Sequence, residues 1–109
     1  MKLHEMSAAE LARGLARREL RALDVVDAFL AQVDARESDL GAWTVVDAEY
    51  ARSQARACDA GGVRGVLHGL PVGVKDILDT AELETEYGTP IYASHRPRAD
   101  AACVAAGWA

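Results

Sequence analysis

Residues 42–47 of this 109-residue sequence read AWTVVD, and the predicted fold class rests on them. Its β-branched and aromatic residues favour a strand, and Asp47 is a good N-cap for the alanine-rich segment that follows to about Ala60. A glycine pair ends that segment, and a second apolar run at residues 72–74 predicts another strand. Two strands separated by a helix form a βα unit, so the sequence predicts an α/β fold.

Two amphipathic helices are expected before this unit. Ser7 and Glu10 have the spacing of a capping box, which predicts a first helix that begins at about residue 8 and ends near Arg18. A second helix is predicted from about Ala22 to Arg36, because its apolar residues repeat with helical spacing. We expect the two helices to form a hairpin arm over about residues 1–40.

The chain beyond the second strand is predicted to be irregular. The apolar periodicity fades over residues 77–92, which indicates a functional loop. Pro97, followed by residues 100–106, predicts the start of another helix. With 50% hydrophobic and 27% charged residues, residues 1–109 have the composition of one small globular domain.

Charge and cysteine content exclude several classes of protein. A net charge of −5 argues against a general affinity for nucleic acid or for an anionic membrane. The arginine cluster at residues 13–21 favours a solvated helix face over a phosphate-binding patch. Cys58 and Cys103 have neither disulfide-framework nor zinc spacing, so we expect no metal and no cofactor.

The amino terminus has no apolar signal-peptide core, and no apolar run is long enough to span a membrane. The sequence therefore predicts a cytoplasmic protein.

Lys75 is the best catalytic candidate. It ends the apolar part of the run LHGLPVGVKD at residues 67–76, and a lysine at the end of a buried strand can lose its proton near neutral pH and act as a base. The alternative is a surface lysine paired with Asp76 or Asp79, and spacing alone favours that alternative. A turn or cap role is favoured for these two aspartates.

Two further candidates are weaker. For His68, a hydrogen bond to the backbone is a commoner role than acid–base chemistry, and the glycines around it indicate close packing. Ser94 and His95 are adjacent, so on an extended chain they point to opposite sides and do not favour a dyad.

Taken together, the run at residues 67–76, TEYGTP at residues 85–90, and Arg96-Pro97 with residues 100–102 resemble the amino-terminal part of the amidase signature family. The resemblance covers nearly the whole chain. It implies the first βα units of a mixed sheet behind the helical arm, with the lysine-bearing strand within residues 42–109.

The resemblance also implies a reaction. Family members cleave amide C–N bonds with a serine nucleophile, a second serine in a cis peptide, and a lysine whose place is taken here by Lys75. The Gly/Ser-rich signature that carries both serines is not in this sequence, and Ala106-Gly107 comes early for a full family helix, as a deletion, a frameshift or a truncated reading frame would explain.

Activity is therefore not expected from this chain alone. The expected partner is a small-molecule amide substrate, if the missing segment completes the site. The alternatives are a non-catalytic remnant or interaction module, or part of an amidotransferase-type assembly. Self-association through exposed apolar faces is a further expectation.

Overall fold

The computed structural model describes residues 2–108, and this part of the chain is helical. Its α-helices are α1 (Ala8–Ala16), α2 (Ala22–Leu40), α3 (Ala48–Ala60) and α4 (Ala102–Trp108), and short 3-10 helices lie at Leu3–Glu5 and Pro90–Tyr92. The chain divides into two compact units. The first contains residues 2–43 and 47–71, and the second contains residues 44–46 and 72–108.

Helix α1 begins where the capping box predicts. The Ser7 hydroxyl accepts a hydrogen bond from the Glu10 N–H at 3.1 Å, and the Glu10 carboxylate accepts one from the Ser7 N–H at 2.7 Å. These hydrogen bonds to Ser7 lower the pKa of Glu10 below its ordinary value. The predicted start of the first helix, at about residue 8, is confirmed.

Helix α2 is about one turn longer than predicted. It ends at Leu40, where Gly41 adopts a left-handed conformation with φ 58° and donates its N–H to the Glu37 carbonyl. The Glu37 carboxylate accepts hydrogen bonds from the next two main-chain N–H groups, those of Ala42 and Trp43, at 2.6 and 2.7 Å. These contacts fix the exit from the helix.

The first unit has one apolar core. Helices α2 and α3 pack against each other, and α1 adds two leucines. The buried members are Leu11, Leu15, Ala22, Val25, Val26 and Ala55. Most of the apolar positions that predicted the two arm helices therefore point into this core, which confirms the predicted inner faces at Leu11, Leu15, Val25 and Val26.

Hydrogen bonds join the end of α3 to the start of α2 and to the turn that precedes α2. Arg21, at the N-cap position of α2, makes no side-chain capping bond, and instead the Asp59 carboxylate accepts the Ala22 and Leu23 N–H groups at 2.7 and 3.1 Å. Arg18, in a left-handed turn with φ 60°, donates to the carbonyls of Asp59 and Gly61 at the end of α3. The end of α3 therefore supplies an acceptor to the first N–H groups of α2 and receives donors from the turn that precedes α2.

The predicted α/β fold is wrong. Within residues 2–108 there is no strand, and hence no mixed sheet and no βα unit. The predicted strands at residues 42–46 and 72–74 are irregular, and Val46 and Val72 are 43% and 66% exposed. β-branched residues favour a strand only when a neighbouring backbone pairs with it, and neither segment has such a ladder here. The helix between them is confirmed: Asp47 caps α3 by accepting the Tyr50 N–H at 2.9 Å.

Replacing Asp59 by alanine is expected to destabilise the first unit by about 1–2 kcal/mol, because the first N–H groups of α2 lose their acceptor. Urea unfolding followed by far-ultraviolet circular dichroism measures the change. Asp34→Ala, at an exposed position of α2, is the control and is expected to change stability by less than about 0.5 kcal/mol. Equal stability of the Asp59 variant and the unchanged chain would contradict the capping role.

Candidate functional site

Lys75 lies in the second unit at the start of a turn that we call the Lys75 turn, residues 75–78. The Lys75 carbonyl accepts the Leu78 N–H at 3.0 Å, which closes the turn. The Lys75 side chain is exposed. The expectation of a buried amine at the end of a strand is therefore wrong in this structure, because the preceding run forms no strand.

The two aspartates near Lys75 bind other groups. The Asp76 carboxylate accepts the Glu86 N–H at 2.9 Å, and the Asp79 carboxylate accepts the Tyr87 hydroxyl. Neither makes an ion pair with Lys75 among the described residues. The carboxylates of both aspartates therefore bind groups eight to ten residues further along the chain, where the sequence favoured a local turn or cap role.

The facing segment, which we call the Thr85 loop, comprises residues 85–88. Thr85 is 1% exposed; its N–H donates to the His95 carbonyl at 2.8 Å, and its hydroxyl lies 3.4 Å from that of Thr80. Tyr87 and Gly88 both have positive φ, 56° and 76°, so the loop reverses direction there. These bonds fix the loop that contacts the aspartates.

A cluster of three rings covers one side of the Thr85 loop. The Tyr87 ring centroid lies 5.1 Å from that of Tyr92 and 6.0 Å from that of His95. The hydrogen bond to Asp79 raises the pKa of the Tyr87 phenol above its ordinary value, because ionisation would place two negative charges side by side. The His95 ring thus packs against tyrosines, while the adjacent Ser94 has a left-handed backbone with φ 64°.

The first half of the run at residues 67–76 belongs to the first unit, which ends at Pro71. Gly69 has φ 78°, and a Cβ at this position would lie 3.1 Å from the Ala22 Cβ and 3.2 Å from a Leu15 methyl group. His68 is half-buried, and its main-chain N–H donates to the Gly65 carbonyl in the same turn. The close packing predicted from these glycines is confirmed at Gly69.

The sequence did not identify the residues that support the turn. Asp100, expected near the first turn of a helix, accepts the Ala81 N–H at 2.8 Å, and the Asp79 carbonyl accepts the Ala101 N–H at 2.8 Å. A polar, irregular segment that contains several aspartates and threonines is a signal for such side-chain to main-chain bonds, but it does not reveal the partners.

Within residues 2–108, no cluster of three or more histidine, cysteine, aspartate or glutamate side chains is arranged to bind a metal ion. Each helix in the same range is too short or too polar to cross a lipid bilayer.

Comparison with known proteins identifies the family. A sequence model of the family described as Amidase matches residues 24–106, which include Lys75 and the Thr85 loop. An amidase of Pseudomonas putida is 39% identical over 93 residues, which cover 83% of this chain and 20% of the relative. A glutamyl-tRNA(Gln) amidotransferase subunit of Roseiflexus castenholzii is 38% identical over 106 residues, which cover 94% of this chain and 22% of the relative.

The chain belongs to the amidase family, as the resemblance predicted. It spans about a fifth of the length of the relatives that it matches. No solved structure gives a significant match.

Gly69→Ala is expected to lower the free energy of unfolding of the first unit by about 1–3 kcal/mol, because alanine is strained at this φ and its Cβ crowds Leu15 and Ala22. Gly62→Ala is the matched control, since a Cβ at Gly62 meets nothing within 4 Å. Urea unfolding of the two variants measures the difference. Equal unfolding midpoints would show that Gly69 is not required for this packing.

Tyr87 should titrate above its ordinary pKa of 10.0. Since folding raises this pKa, the stability that the phenol contributes is complete below about pH 10 and is lost as pH rises through the raised value. Absorbance at 295 nm follows phenolate formation. Tyr87→Phe should remove a phase above pH 10, Asp79→Asn should move that phase to lower pH, and Glu82→Ala should leave it in place. An Asp79→Asn titration curve that superimposes on that of the unchanged chain would contradict this assignment.

Proposed function

We propose that this chain supplies the general base, Lys75, of an amidase that hydrolyses the C–N bond of a small-molecule amide with a Ser-cisSer-Lys triad. The observation that carries the proposal is that the two carboxylates near Lys75 bind other groups. Asp76 and Asp79 accept hydrogen bonds from the Thr85 loop, and the Lys75 side chain is exposed and forms no ion pair with either aspartate. Membership of the amidase family supports the same role.

The chemistry requires a neutral amine. The base takes the proton of the nucleophilic serine, relayed through the second serine, while the nucleophile attacks the amide carbonyl. The protonated base then returns this proton, through the second serine, to the amide nitrogen; the C–N bond breaks, ammonia or an amine leaves, and water hydrolyses the acyl-enzyme to the carboxylic acid and the free serine. An ordinary lysine with a pKa of about 10.4 is neutral in roughly one molecule in 2,500 at pH 7. A base at this position therefore needs desolvation or neighbouring positive charge to lower its pKa.

The exposure of Lys75 in these 109 residues is relevant to that requirement. A side chain in water gains no desolvation, which is one of the two means by which a lysine becomes a base near neutral pH. The Gly/Ser-rich signature that carries the two serines is not part of this sequence. We propose that the 109 residues alone do not turn over amides, and that the complete site includes further protein.

A second candidate is a role in an amidotransferase-type assembly. It is favoured by relatives named as glutamyl-tRNA(Gln) amidotransferase subunits, of which two are 38% and 32% identical to this chain. In that case the chain acts with partner proteins, and exposed apolar residues such as Val66 and Ile91, at 85% and 86%, are available for contacts. Cooperative unfolding and a monodisperse monomer in solution would favour an autonomous interaction module, whereas aggregation or a molten state would favour a fragment of a larger enzyme. We propose a cytoplasmic location for either case.

The 109-residue protein is expected to show no lysine-dependent release of ammonia from aromatic or aliphatic amides such as benzamide and acetamide. Turnover that Lys75→Ala abolishes would contradict the proposed inactivity, while supporting the role of Lys75.

The role of Lys75 is tested in a hybrid in which this chain replaces the matching segment of the Pseudomonas putida amidase. Lys75→Ala is expected to lower kcat by about 10²–10⁴-fold, the usual effect of losing a general base. Lys2→Ala removes the other lysine of the chain, at an exposed position, and is the matched control. A Lys75→Ala hybrid as active as the Lys2→Ala hybrid would overturn the proposal.

A further inference from the structure

We propose that Asp76 is a positioning residue for Lys75, acting through two hydrogen bonds from the Thr85 loop. The inference rests on the proposed role of Lys75 as the base. It assigns to Asp76 the task of fixing the backbone that presents the amine, and it gives the aspartate no part in proton transfer.

The first argument is the geometry of the bonds. The Asp76 carboxylate accepts the Glu86 N–H at 2.9 Å, and the Asp76 carbonyl accepts the Tyr87 N–H at 2.9 Å. Two successive N–H groups of one segment thus bind the side chain and the main chain of one residue. Two bonds of this kind define both the position and the orientation of Asp76, whereas a single bond leaves a pivot.

The second argument is continuity with Lys75. The Lys75 carbonyl accepts the Leu78 N–H at 3.0 Å, which restrains the peptide group that joins Lys75 to Asp76. The next peptide group is restrained by the bond from the Tyr87 N–H to the Asp76 carbonyl. Together with the bond to the Asp76 carboxylate, these contacts restrain the backbone that follows the Cα of Lys75.

The third argument is that the partner segment is itself held. The Thr85 N–H donates to the His95 carbonyl at 2.8 Å, and the Thr85 hydroxyl lies 3.5 Å from the Leu78 carbonyl. The Tyr87 hydroxyl donates to Asp79. A partner fixed at three points can fix Asp76, and this matters because a displacement of about 1 Å in a catalytic group can cost on the order of 100-fold in rate.

Amide hydrogen exchange on the 109-residue chain tests the geometry without requiring activity. Asp76→Ala is expected to speed exchange at Glu86, Tyr87 and Leu78 by about fivefold to tenfold, the effect of losing one hydrogen bond. Asp76→Asn keeps an acceptor oxygen and should recover most of the protection. Glu82→Ala is the control, because it removes an exposed carboxylate between the Lys75 turn and the Thr85 loop. If Glu86 and Tyr87 lose protection while Leu78 does not, the bonds do not reach the Lys75 turn and the proposal fails.

The hybrid amidase tests the consequence for catalysis. Asp76→Ala is expected to lower kcat by about 10–100-fold with KM changed less than about twofold, and Asp76→Asn should recover most of the lost kcat. A purely structural role would instead reduce the fraction of folded enzyme and would leave kcat per active site unchanged, as active-site titration would show. Full kcat in Asp76→Ala, with Lys75→Ala inactive, overturns this inference alone. Full activity in Lys75→Ala overturns the proposed function itself.

Discussion

The first unit depends on the hydrogen bonds that the Asp59 carboxylate, in the last turn of α3, accepts from the first N–H groups of α2. A helix leaves its first N–H groups without partners, and burying them near a core is costly unless an acceptor is supplied. In α2 the local N-cap residue is Arg21, which makes no such bond, so the acceptor comes from the last turn of α3. Because Arg18 satisfies carbonyls at that same end of α3, the two helices cannot separate without exposing polar groups of both. Val25 and Ala55 are buried in the apolar core, and their burial further stabilises the packing of α2 against α3.

The second unit uses the same chemistry without regular structure. Its carboxylates bind main-chain donors: Asp76 binds Glu86, and Asp100 binds Ala81. An irregular segment cannot satisfy its backbone groups with a helix or a ladder, so side chains take that part. As a result, the carboxylates of Asp76 and Asp79 accept hydrogen bonds, while the exposed Lys75 side chain forms no ion pair with either of them.

How much the sequence could predict differs between the two units. The helices of the first unit were predicted from Ser7, Asp47 and the apolar spacing, because these signals act over one or two turns. The strands at residues 42–46 and 72–74 were not correctly predicted, since a strand depends on a partner that local composition does not specify. Lys75 is a candidate because of its motif, but the predicted burial of its amine was wrong, and the partners of Asp76 and Asp79 lie eight to ten residues away, beyond the reach of a local pattern. The remote cap Asp59 had one signal: α2 has a strong apolar pattern but no capping side chain at its start.

Tyr87 combines two roles in the Thr85 loop. Its left-handed backbone, with φ 56°, is a conformation that glycine adopts freely and that costs other residues free energy. The same residue donates its N–H to Asp76 and its hydroxyl to Asp79. The hydrogen bonds of Tyr87 therefore hold its backbone in a conformation that costs free energy. Because one residue supplies both bonds, a change of the Tyr87 backbone breaks them together, so the loop and the Lys75 turn should open as one cooperative unit and not residue by residue.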